Sequence, residues 1–63
     1  MSLSELSAKC KESIEKYPHR RDEIQDLYYM AEEEINDGGS VEHETELALG
    51  SLQEIAEEED NAD

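Results

Sequence analysis

An all-α fold is what this sequence predicts: an antiparallel helical hairpin preceded by one further helix. Apolar residues recur at three- and four-residue intervals in three separate runs. A Gly38-Gly39 pair stands between the last two, and no run alternates as a strand would. The chain has 63 residues, enough for one small helical domain over about 1–59. Below about 70–80 residues a single core seldom supplies more than ~3–5 kcal/mol without a staple. Cys10 is the only cysteine, so no internal disulfide serves, and a lone thiol suits a reducing compartment. That leaves a three-helix bundle or an oligomeric helical assembly.

The first helix is expected at about 2–16. Leu3, Leu6, Cys10, Ile14 and Tyr17 form one stripe, and Ser2 or Ser4 can cap its start. The second is expected at about 18–37, with Pro18 in its first turn, where a proline is tolerated. Ile24, Leu27, Tyr28, Ala31 and Ile35 give it the strongest amphipathic pattern in the chain. Gly38 then serves as a left-handed cap, and Gly39 gives the turn room. The third helix, about 41–59, carries Val41, Thr45, Ala48, Leu52 and Ile55, with Leu49 and Ala56 widening the stripe. Gly50 is a fault in it, worth ~1 kcal/mol against alanine. The closing run EEEDNAD has no apolar anchor, and 60–63 are expected to fray as an acidic tail.

The formal net charge of −14 is unevenly placed. Five basic and three acidic residues give +2 over the first 21 positions, whereas 22–63 hold sixteen acids and no lysine or arginine. Such a body repels nucleic acid and anionic membranes and attracts basic protein surfaces. Direct nucleic-acid binding is therefore not expected. No run is long and apolar enough for a transmembrane helix, and MSLSELSAKCKES lacks a signal-peptide pattern. A cytoplasmic protein is the expectation.

The stretch INDGGSVEHETELAL invites a chemical reading and does not sustain one. A zinc-protease motif needs a second histidine where Leu47 stands, and a calcium loop needs alternating oxygen ligands that DGGSVEHETELA lacks. The stretch reads as a helix–turn–helix junction in which Ser40 caps the third helix and Glu42, Glu44 and Glu46 favour its positive end. Cys10 lies in line with Leu6 and Ile14 and reads as a small buried hydrophobe. In PHRR, Arg20 and Arg21 stand at the unfavourable end of a helix. They are expected to pair with Glu23 or with acids of a neighbouring helix. No nucleophile, base and pocket are arranged for catalysis, so the chain is not expected to be an enzyme and implies no cofactor or metal.

Three apolar residues fall off the stripes. Tyr29 lies nearly opposite the stripe of the second helix, and Met30 and Leu47 lie to one side of theirs. If the hairpin pivots at Gly38-Gly39, residues whose numbers sum to about 77 lie level, as Met30 and Leu47 do. Either the first helix covers this second patch or another chain does. The expected partner contacts are Tyr29, Met30 and Leu47, with Asp26, Glu32, Glu33 and Glu46 as an acidic rim.

From DEIQDLYYMAEEEINDGG through SVEHETELALGSLQEI, the chain resembles small, acidic, all-helical accessory proteins encoded by tailed bacteriophages. The resemblance rests on the order of acidic helix, glycine turn and acidic helix. It implies a module that binds and redirects or inhibits a host protein, in the host cytoplasm.

Taken on the residues alone, the expected function is a self-associating protein–protein interaction module whose partner has a basic surface. One alternative is a nucleic-acid mimic. Duplex DNA carries one charge per ~1.7 Å, so the ~28 Å of a 19-residue helix corresponds to roughly sixteen phosphates. Residues 22–63 also hold sixteen acids. The other alternative is a structural subunit of a larger particle.

Overall fold

The side-chain hydroxyl of Ser2 accepts from the Glu5 amide at 3.3 Å and starts α1, Leu3–Lys16. In this computed structural model, which describes residues 2–61, Tyr17 ends that helix and its amide donates to the Ser13 carbonyl at 2.7 Å. Pro18–Arg20 form one 3-10 turn, after which α2 spans Arg21–Asn36 and α3 spans Val41–Asp60. The second helix therefore starts three residues later than the pattern predicts. The proline fixes its own φ but contributes no amide, and the chain tightens before the α-helical pattern begins.

The reversal between α2 and α3 is a Schellman motif. Gly38 has φ +104°, a left-handed conformation that side chains other than glycine's rarely adopt. Its amide donates to the Ile35 carbonyl at 3.1 Å, and the Gly39 amide donates to the Glu34 carbonyl at 2.8 Å. A Cβ at Gly39 would stand 2.7 Å from that carbonyl oxygen, so both glycines are required for different reasons. Ser40 then caps α3 as expected, its Oγ accepting from the His43 amide at 3.3 Å.

All three helices pack on one another as an up-down-up bundle, with α1 and α3 parallel and α2 antiparallel to both. The body measures 40 × 15 × 15 Å, and its 11.6 Å radius of gyration exceeds the ~10.6 Å of a typical globule this size. It is a rod. Leu6, Ile24 and Thr45 are fully buried, and Cys10, Ala31, Ala48, Leu52 and Ile55 complete the core. The buried Thr45 hydroxyl donates to the carbonyls of Val41 at 2.7 Å and Glu42 at 3.1 Å, so its polarity is satisfied within its own helix. Among the described residues, no helix is long and apolar enough to cross a membrane.

At the acidic end, where fraying is expected over 60–63, α3 runs through Asp60 to a cap at Asn61, and residues 62–63 lie outside the described residues. The turn after α1 holds this end. The Tyr17 hydroxyl donates to Asp60 at 3.4 Å, His19 Nε2 contacts Glu59, and Arg20 reaches Glu58 at 2.9 Å and Glu59 at 3.9 Å. Polar contacts replace the missing apolar anchor.

Candidate functional site

Helix register decides which side chains meet. In the pairs Tyr17–Asp60, His19–Glu59, Arg20–Glu58 and Arg20–Glu59, residue numbers sum to 77–79, the relation expected of a hairpin pivoting at Gly38-Gly39. Met30 and Leu47 obey it too, and they line one groove between α2 and α3. The groove has a volume of about 140 Å³ and is further lined by Leu27, Ala31, Glu34, Glu44, Ala48 and Ser51. Ala31 and Ala48 are buried and form its floor, whereas Met30 is 64% exposed and Leu47 56%.

The first helix does not cover this groove. It completes the bundle from the other side, through Leu6 and Cys10 with Leu3 and Ile14 packed beside them. Of the two outcomes the sequence leaves open for Met30 and Leu47, burial under α1 is thus excluded.

Of the expected contact residues, the structure brings together only Met30 and Leu47. Tyr29 is 61% exposed and lines a different groove, of about 220 Å³, between α1 and α2. There its ring stands edge-on to Tyr28, with centroids 6.1 Å apart, beside Cys10 and Lys11. Asp26, Glu32, Glu33 and Glu46 do not line the α2–α3 groove; Glu32 is half-buried, and the other three are exposed. The acids that wall it are Glu34 and Glu44. They could have been found from the sequence, because their numbers sum to 78 and each lies one helical turn from Met30 or Leu47.

Charge is partitioned between the grooves. Helix α1 carries three lysines against three glutamates, α2 one arginine against six acids, and α3 eight acids without a lysine or arginine. The α2–α3 face is the acidic one. At the far end, Arg20 makes a bidentate contact with Glu23 at 2.9 and 2.8 Å as well as reaching α3. This answers the unfavourable placement of PHRR, because the negative C-terminal ends of α1 and α3 flank it. The hydrogen bond from Arg20 holds the Glu23 carboxyl below its ordinary value, and the two glutamates raise the Arg20 guanidinium further. Burial pushes the Cys10 thiol up, which makes it a weaker nucleophile at neutral pH.

His43 is exposed at the third position of α3, and among the described residues no three His, Cys, Asp or Glu side chains gather around one point. No family model matches the chain, and no curated protein or solved structure matches it.

Proposed function

We propose that this chain is a small acidic interaction module that binds a protein with a basic surface through the α2–α3 side of its bundle. The observation that supports the reading is the meeting of Met30 and Leu47. Two large apolar side chains, each more than half exposed, stand level across one groove on the most acidic face of the molecule. Exposed apolar groups in a rim of polar ones are the usual anatomy of a contact site. Acidic surroundings speed encounter with a basic partner and repel other acidic proteins. If the phage-like style of the chain reflects its origin, that partner is a host protein.

A nucleic-acid mimic also requires a basic partner, but one magnitude and one surface feature weigh against it. A duplex as long as this 40 Å body carries roughly 24 phosphate charges, whereas α2 and α3 together hold fourteen acids. An apolar groove in the middle of the acidic face also has no counterpart in a row of phosphates.

The test is capture from a bacterial lysate by tagged wild type and by Met30→Asp combined with Leu47→Asp. Washes at low and moderate salt, with and without duplex DNA, complete it. A protein retained by wild type, lost with the double variant and indifferent to DNA supports the module. A protein retained equally by both forms and displaced by DNA supports the mimic and removes the groove from the account.

A further inference from the structure

We propose that the occupant of the α2–α3 groove is a basic amphipathic helix. It seats one large apolar side chain on Ala31 and Ala48, between Met30 and Leu47, and reaches Glu34 and Glu44 with a lysine or arginine one turn away. The proposal rests on the reading of this groove as a contact surface and adds the chemistry of what fills it.

Shape comes first. The floor is made of two alanines and the walls of a methionine and a leucine, so the groove is a notch for a protruding side chain. Methionine adapts its rotamers to the shape it meets, which suits it to a wall. From Leu27 to Glu34 the groove runs seven residues along α2, or about 10 Å, the length of two helical turns. An apolar residue on one turn and a cation on the next span that distance.

Charge then selects the partner. Glu34 and Glu44 stand at the same end of the groove, and the Glu44 Cγ lies beside Gly39, whose amide is bonded to the Glu34 carbonyl. Glu34 also lies in the last turn of α2, where the helix dipole disfavours a carboxylate and no basic residue compensates. The chain's lysines and arginines all fall within residues 9–21, on α1 and around the α1–α2 connection. The free protein therefore holds two carboxylates at one end of an apolar notch that no lysine or arginine of its own lines. A second copy fits less well. It carries a net −14, and even its least acidic helix has as many glutamates as lysines.

The experiment is an amide NMR titration of isotopically labelled protein at physiological salt. The probe is a helical peptide with one leucine flanked four residues away on each side by lysine. Control peptides carry glutamate for the lysines or alanine for the leucine. The expected result is that shifts concentrate at Leu27, Met30, Ala31, Leu47 and Ala48 and that both controls fail to bind. Glu34→Gln with Glu44→Gln should weaken binding about tenfold. Binding unchanged by those substitutions but lost in Met30→Asp with Leu47→Asp would overturn the cation contact and leave the groove reading standing. Shifts that map elsewhere, or binding indifferent to both pairs of substitutions, would overturn the groove reading itself. All four positions line an open groove, and circular dichroism of each variant confirms that the helices are retained before titration.

Discussion

Arg20, in the turn after α1, and Glu58, in the last turn of α3, meet at 2.9 Å across 38 positions of sequence. Residues 57–60 of α3 have no apolar side chain to bury, so the connection Tyr17–Arg20 supplies the order of that end through polar contacts. Exposed ion pairs of this kind are screened by salt. Arg20→Gln should therefore speed amide exchange of residues 57–60 and leave the exchange of Thr45, Ala48 and Leu52 unchanged. High salt should produce the same local pattern in wild type. Uniform protection across α3 in the variant would show that the helix end does not need Arg20.

The Arg20–Glu23 contact also has a pH signature. The folded value of Glu23 lies below its unfolded one, so the stability from this contact is complete above the ordinary glutamate range. It is lost as pH falls through the lowered folded value. A carboxyl-carbon NMR titration should find Glu23 titrating below the ordinary glutamate range. In Arg20→Gln it should return to that range; failure to return would assign the shift to something other than the guanidinium.

Leu6 is fully buried where α1 meets the hairpin. Leu6→Ala should cost ~3 kcal/mol, comparable with the whole stability expected of so small a core. Urea unfolding should show one transition moved far to lower denaturant, because α1 and the hairpin share a single core. A loss confined to α1, with α2 and α3 intact, would mean that the hairpin stands alone.

The glycines divide by mechanism. Gly50 lies on the exposed side of α3 with open space around a would-be Cβ, so Gly50→Ala should stabilise by about 1 kcal/mol and raise the melting temperature by roughly 4–8 °C. Gly39→Ala should do the opposite, because the added carbon meets the Glu34 carbonyl oxygen at 2.7 Å and disrupts the bond that closes α2. Thermal melts of the two variants, taken side by side, check both signs.

The stripes were legible because burial in a helix repeats every three or four residues. Leu6, Cys10, Ile24, Ala31, Thr45, Ala48, Leu52 and Ile55 are all core, as the periodicity predicts. Val41 is the exception, 42% exposed because it opens α3 beyond the packed length of the bundle. The level relation across the glycine turn also placed Met30 beside Leu47. The same relation puts Glu34 level with Glu44, which wall the groove, whereas Asp26, Glu32, Glu33 and Glu46 do not line it. Tyr29 lines another groove. Its position on α2 is readable, but the groove it joins depends on where α1 docks.

The amino-acid order by itself determined three helices, the serine cap of α3, the reversal at Gly38-Gly39 and the segregation of negative charge onto α2 and α3. Each of these follows from local chemistry: side-chain periodicity, a serine hydroxyl near free amides, a glycine that tolerates positive φ, and a count of acids. Only the tertiary structure decided that α1 packs on the side away from Met30 and Leu47 and that the turn after α1 holds the acidic end of α3. Those outcomes depend on contacts between residues far apart in sequence, whose geometry no local rule contains. A helix presents its whole circumference to possible partners, and packing selects which part is buried and which remains to meet another molecule.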